Sequence, residues 1–139
     1  MSGKIFVDSN ILIYSIDNND SVKQDIAKKI ITELSDNAVI STQVLQEFYN
    51  VVTRKLNCPK DKAKQLVKNI SESFYVHKNS VSDILHAIEI NMKTQFSFWD
   101  SLVISAAISE GCDVLYSEDL NDGQRVEELT IKNPICIKE

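Results

Sequence analysis

Apolar and polar positions along this chain switch between two periods. In STQVLQEFYNVV (41–52), Val44, Leu45, Phe48, Val51 and Val52 recur at the i, i+3, i+4, i+7 spacing of a helix with one buried face. Glu47 falls at the margin of that face, about 40° from Val51 at ~100° per residue. DSVKQDIAKKIITEL repeats the helical pattern through Val22, Ile26, Ile30 and Leu34. VSDILHAIEINMK and WDSLVISAAISEG continue it, and Gly111 stops the second of these. Pro59 restarts the chain as another helix, reaching about Ile70. Between the helices lie short apolar runs of strand length: KIFV (4–7), AVIS (38–41), FYVH (74–77) and DVLYS (113–117). TIKNPICI is a last extended piece.

Strands that alternate with helices predict an α/β fold: a three-layer α/β/α sandwich whose mostly parallel central sheet is covered on both faces by right-handed crossovers. A length of 139 residues suits one domain, spanning 1–139, that buries roughly two-thirds of its unfolded surface. With three Gly, two Pro and no repeat or low-complexity tract, no linker divides it. Asp8, Ser9 and Asn10 interrupt the first apolar run, so it reads as neither a signal-peptide core nor a membrane span. Cys58, Cys112 and Cys136 are an odd number without CxxC spacing. That argues for a reducing, cytoplasmic setting, against a zinc site, and for cysteines used as small buried apolar residues.

In parallel sheets, ligands bind outside the carboxyl ends of the strands. Asp8 immediately follows the first strand, Asp119 closely follows DVLYS, and Glu47 lies early in the helix after AVIS. Asp100 opens the helix that leads into DVLYS, and joins the other three only if that helix begins at their edge. Three of these acids also have a purely local reading. Asp8 can cap a short helix from Asn10, Asp119 can serve a turn in SEDLNDG, and Asp100 follows Ser97 in a capping-box pattern. With Thr42 as N-cap, Glu47 is too far along for such a role and reads either as an exposed Glu or as a site residue. Four carboxylates gathered at one edge repel, and a divalent cation is the natural compensation; oxygen-only ligands favour Mg²⁺ or Mn²⁺ over Zn²⁺. His77 and His86 lack metal-ligand spacing and read as core or surface residues.

The net charge of -5 discourages nucleic-acid binding on its own. Its distribution changes the picture, because TRKLNCPKDKAKQLVK (53–68) holds Arg54, Lys55, Lys60, Lys62, Lys64 and Lys68 against the single acid Asp61. This stretch is either a solvated helix surface or a phosphate-binding footprint.

VDSNILIY (7–14), STQVLQEFYNVVTRK (41–55) and FWDSLVISAAISEGCDVLYSEDLNDGQ (98–124) resemble, in order, the motif blocks of the PIN-domain ribonucleases. At this length the chain is most similar to toxins of VapC type from bacterial toxin–antitoxin pairs. The resemblance implies hydrolysis of RNA to 3'-hydroxyl and 5'-phosphate ends, with one or two Mg²⁺ or Mn²⁺ ions as cofactor. Asp8, Glu47, Asp100 and Asp119 take the metal-binding and catalytic places, with Ser9 and Asn10 as supporting or substrate contacts. It also implies an RNA substrate, a cognate antitoxin and a homodimer. The chain departs from many relatives at Glu118, where they carry a basic residue; Arg125 is close enough in sequence to substitute. Asp122 reads as a turn residue or as a fifth contributor to the acid set. Two other classes remain open. A haloacid-dehalogenase type phosphotransferase would want a DxD motif that DSN lacks; a catalytically silent RNA-binding or interaction module needs no intact acids. A housekeeping RNA-processing nuclease is the variant of the first reading in which there is no antitoxin.

Overall fold

The computed structural model describes residues 3–135. Its elements in chain order are β1 (Ile5–Val7), α1 (Ser9–Ile16), α2 (Ser21–Leu34), β2 (Ala38–Ser41), α3 (Thr42–Arg54), α4 (Lys60–Ser73), β3 (Tyr75–His77), α5 (Val81–Lys93), α6 (Phe98–Ser109), β4 (Val114–Tyr116), β5 (Arg125–Val126) and β6 (Leu129–Lys132). The six strands form one sheet in the order β3-β2-β1-β4-β6-β5, parallel except for the β5–β6 hairpin. The predicted three-layer α/β/α sandwich is the observed fold. Pairing moves outward from β1 to β2 to β3 and then returns to the other side of β1. The strand order therefore reverses between β1 and β4, which is where such sheets open a crevice.

Helices α1 to α4 pack on one another, while α5 and α6 form a separate pair. In α3 the predicted face is the buried one, with Val44, Phe48 and Val52 fully enclosed. Burying a side chain the size of Phe48 is worth about 1.5–3 kcal/mol. Helix α6 is buried almost all round from Ser101 to Ala107, as expected of an apolar helix with little polar face. It ends where predicted. Gly111 adopts φ +70, Gly111 N–H donates to Ile108 O and Cys112 N–H to Ala107 O, a Schellman turn that glycine accommodates without strain.

Several expectations shift in detail. Ser41, not Thr42, caps α3, its hydroxyl accepting from Val44 N–H. That moves Glu47 one residue further into the helix and further from any capping role. Val22 is exposed, and Ala27 takes the buried position of α2 with Leu34. β6 overlaps the extended piece TIKNPICI, but β5 has no counterpart among the predicted elements, because two residues of strand carry no period to read. Cys112 is buried and Cys58 partly so, while Cys136 lies outside the described residues. No helix among the described residues is long and apolar enough to cross a membrane.

The far end of the sheet is tied by a charged knot. His77 Nε2 lies 2.7 Å from Asp83 Oδ2 and His77 Nδ1 lies 2.5 Å from Glu110 Oε2, joining β3 to the start of α5 and the end of α6. Asp83 also accepts from Ser80 N–H in a capping box, and Ser105 Oγ donates to its carbonyl. A ring nitrogen facing a carboxylate on each side must donate on each side, so the imidazolium is the fitting form. Burial pushes His77 down, but its bonds to Glu110 and Asp83 prevail and raise its pKa. Burial pushes Asp83 up, yet Ser80 and His77 hold it below the ordinary value. A raised histidine pKa stabilises the fold fully below the unfolded value and is lost as pH rises through the folded one; the lowered Asp83 pKa contributes from about pH 4 upward. Replacing His77 by Gln should therefore cost about 2–4 kcal/mol near pH 5.5, where it takes the cation from buried Asp83 and half-buried Glu110, and clearly less near pH 9. Urea unfolding of both proteins at the two pH values checks this, and an equal loss at both would contradict the charged knot.

Candidate active site

At the reversal point, β1 and β4 run side by side in register Val7↔Tyr116, and Asp8 N–H donates to Tyr116 O at 3.0 Å. The next residues on the two strands, Asp8 and Ser117, therefore emerge together. Asp8 also caps α1, accepting from Ser9 N–H at 2.7 Å, so its local and its site reading hold at once. Glu47 reaches the same place from the second turn of α3. Asp100 is brought there by chain direction: α6 ends where β4 begins, so its first turn lies at the opposite, carboxyl end of the strands. Ser97 Oγ accepts from Asp100 N–H at 3.1 Å, which caps the helix and leaves the Asp100 carboxylate half-exposed.

The acids are braced by neutral donors. Ser117 Oγ donates to Asp8 Oδ2 at 2.9 Å, and accepts from Asn10 Nδ2 at 3.2 Å and Asp119 N–H at 3.3 Å, which uses all its hydrogen-bonding capacity. Asn10 Nδ2 donates to Asp119 Oδ2 at 3.1 Å, and Asn10 Oδ1 accepts from Glu118 N–H. One asparagine thus holds three consecutive residues of the loop after β4. Ser9 Oγ donates to Glu47 Oε2 and Gln43 Nε2 to Glu47 Oε1, each at 2.9 Å; Gln43 Nε2 also reaches Trp99 O at 3.1 Å. Gln43 so links Glu47 to the turn that carries Asp100.

Asp8 is only 7% exposed, and burial raises its pKa to about 7. The bonds from Ser9 and Ser117 oppose the shift, while the charges of Glu47 and Asp119 add to it. Burial also raises Asp100, Ser97 opposes, and the charge of Asp119 adds. The four acids therefore share one field, in the sequence Glu47, Asp8, Asp119, Asp100. Among the described residues no three Asp, Glu, His or Cys side chains enclose a metal ion by themselves. Mg²⁺ does not require that, since it is commonly held by one or two carboxylates and keeps several waters. Gln43 Oε1, on the side chain that holds Glu47, and Ser101 Oγ, on the residue after Asp100, are buried and have no hydrogen-bond partner among the described residues. Oxygen donors, mutual repulsion and unsatisfied oxygens fit a hard divalent cation.

Not every residue singled out in the sequence is brought here. Arg125 pairs across the hairpin with Thr130, which pairs with Val114 at the start of β4, and its guanidinium is 4.0 Å from Glu128. It sits at the wrong end of the strands to replace a cation at position 118. Asp122 accepts from Asn133 N–H and serves its loop. Arg54, Lys55, Lys60, Lys62, Lys64 and Lys68 are all exposed on the end of α3 and along α4. Lys60 and Lys64 line a groove of about 730 Å³ with Leu45, Tyr49 and Val67. Leu45 and Tyr49 lie ~160° around α3 from Glu47 by helical arithmetic, so this groove opens away from the acids. Sequence reasoning missed Ser117 and Gln43. Gln43 had a signal, its i, i+4 spacing to Glu47 on one helix.

Residues 5–128 match the PIN domain. Among curated proteins none matches the chain significantly. Solved structures share the fold, three of them as follows. The sarcin-ricin loop cleaving toxin VapC20 of Mycobacterium tuberculosis superposes with TM-score 0.70 at 19% identity, covering 84% of this chain and 90% of that one. DNA-bound VapBC of Salmonella typhimurium gives 0.72 at 17%, covering 94% and 98%. A toxin–antitoxin complex from Klebsiella pneumoniae gives 0.71 at 14%, again covering 94% and 98%.

An acid whose pKa is raised on folding weakens the fold as pH climbs from its unfolded value, about 4, towards 7, and the cost is complete above that. Asp8→Asn keeps an acceptor for Ser9 N–H and removes the buried charge. Without divalent cations it should melt higher than wild type at about pH 8, by roughly 1–3 kcal/mol, and show no such gain near pH 4. Thermal melts in chelator at both pH values measure the difference.

Proposed function

This chain belongs to the PIN-domain family, and on that premise we propose that it is a metal-dependent endoribonuclease, the toxin of a toxin–antitoxin pair. The observation that carries the reading is the row of Glu47, Asp8, Asp119 and Asp100 at the switch point of the sheet, braced by hydroxyl and amide donors. Asp8, Asp100 and Asp119, with Glu47, would hold one or two Mg²⁺ or Mn²⁺ ions. Bound there, such ions lower the pKa of water and stabilise the attacking and leaving oxygens of a phosphodiester.

The chain's own residues contribute orientation. Ser9 and Gln43 each engage one oxygen of Glu47, and Ser9 N–H and Ser117 Oγ each engage one oxygen of Asp8. A carboxylate oxygen that accepts one hydrogen bond keeps a second lone pair, so bracing fixes direction without using up the donor. Trp99, 64% exposed beside Asp100 and fixed through its carbonyl by Gln43, offers a face on which a base of single-stranded RNA can stack. The exposed lysines of α4 add sequence-independent attraction for a polyanion.

A partner belongs to the same reading. The solved neighbours include toxin–antitoxin complexes, and the groove between α3 and α4 has an apolar floor flanked by Lys60 and Lys64 against the single acid Asp61. An acidic amphipathic helix of an antitoxin fits that chemistry. The chain would act in the cytoplasm as a homodimer.

The purified protein should cleave RNA internally with Mg²⁺ or Mn²⁺ and stop in chelator. Asp8→Asn and Asp100→Asn should each lower cleavage roughly 100-fold or more while the protein stays folded. Mg²⁺ at 100 times its dissociation constant should stabilise wild type by about 2.7 kcal/mol and Asp100→Asn by much less. Cleavage undiminished in both variants would overturn the assignment; binding of RNA without cleavage under any divalent cation would favour the silent binding module.

A further inference from the structure

The loop after β4 carries an acid at position 118 and gathers a cation from elsewhere in the chain. Lys23, in the first turn of α2, places Nζ 2.9 Å from Glu118 Oε2 and 3.2 Å from Tyr14 Oη. The same ammonium lies 4.8 Å from the centre of the Tyr14 ring, and Tyr14 Oη donates to Glu118 Oε1. A cation in the first turn of a helix is opposed by the helix dipole, so α2 gains nothing from it. A partly exposed ion pair contributes little to stability, too little to account for three separate holds on one side chain. The arrangement does account for position. Glu118 directly precedes Asp119, and its N–H is held by Asn10, which also holds Asp119. An ammonium has three N–H donors, of which Glu118 and Tyr14 take two, and the side chain remains 29% exposed.

We propose that Lys23 is the substrate-positioning cation of this site, fixed by Glu118 and Tyr14 so that its third N–H contacts an RNA backbone phosphate flanking the one that is cut. The proposal rests on the RNA-cleavage reading. Arg125 is excluded from this task by its place at the other end of β4. Glu118 then has a definite use: an acid recruits, from α2, the positive charge that the loop itself lacks. Because Lys23 is engaged by Glu118, it leaves the four acids free for a metal cation while offering the polyanionic strand a contact at the rim.

The test is binding of a labelled oligouridylate to the full chain, with Asp8→Asn present throughout to prevent cutting, read by fluorescence anisotropy across a salt series. Adding Lys23→Met should weaken binding and reduce the slope of log affinity against log salt by about 0.7, the loss of one single-strand phosphate contact. Lys23→Arg should keep the slope. Glu118→Gln removes the anion but keeps an amide oxygen that, with Tyr14 Oη, can still accept from Lys23 Nζ, so it should keep the slope and bind RNA as well as the parent. If the pair is only a strut between α2 and the loop, Lys23→Met and Glu118→Gln will lower the melting temperature alike and leave the salt slope unchanged, and the proposal is overturned. A parent that shows no salt-dependent affinity for the oligonucleotide would overturn the RNA reading itself, and this inference with it.

Discussion

A carboxylate removed from water at the point where the sheet reverses direction governs this structure. Parallel pairing of β1 with β4 forces Asp8 out of the sheet beside Ser117, where it is 7% exposed and its ionised form is disfavoured by burial and by two neighbouring acids. A charge in such a place must be neutralised, paired or hydrogen-bonded. Here hydrogen bonds come first: a backbone N–H from the helix it caps and a hydroxyl from the adjacent strand. They limit the cost without cancelling the charge, which leaves the site poised for a cation.

The same economy governs the other acids. Glu47 and Asp119 are held by serine, glutamine and asparagine rather than by lysine or arginine. A basic partner would satisfy a carboxylate and compete with a metal for it, whereas a neutral donor orients the group and leaves its charge intact. The cations are kept one step away. Lys23 stops at Glu118, and His77 is enclosed by Asp83 and Glu110 in the packing of β3, α5 and α6. This division places the buried ion pairs in the α5–α6 layer and the acids at the junction of both layers. It also gives the two histidines the structural roles their spacing suggested: His86 meets Glu127 at the surface.

Position along helices connects these layers. Helix α3 buries Val44, Phe48 and Val52, which fixes its rotation and so aims Glu47 at Asp8; the opposite side of the helix is left to Leu45, Tyr49 and the lysine-flanked groove. Helix α6, buried nearly all round, cannot rotate or slide without disturbing the core, and its first turn therefore presents Asp100 at a fixed place. Distinct faces of the same elements carry the core, the acids and the lysine-flanked groove, and the apolar periodicity decides which residues fall on which face.

That periodicity is a local property, and sequence alone was enough for what depends on it: the order of strands and helices, the parallel three-layer fold, the buried face of α3 with Glu47 at its margin, the Gly111 stop and the places of Asp8, Asp100 and Asp119 at strand or helix ends. A period of two or 3.6 and a residue's place relative to an element's end can be read without knowing any neighbour. What required the tertiary structure were the pairings between residues far apart in the chain. Ser117 matters because register sets it beside Asp8, Lys23 because α2 packs where Glu118 emerges, and Arg125 is excluded because a hairpin too short to show a pattern carries it to the other end of β4. Sequence proximity suggested Arg125 for position 118; strand register and helix packing chose Lys23, because a hydrogen bond is decided by distance in space and the chain's numbering does not encode that distance.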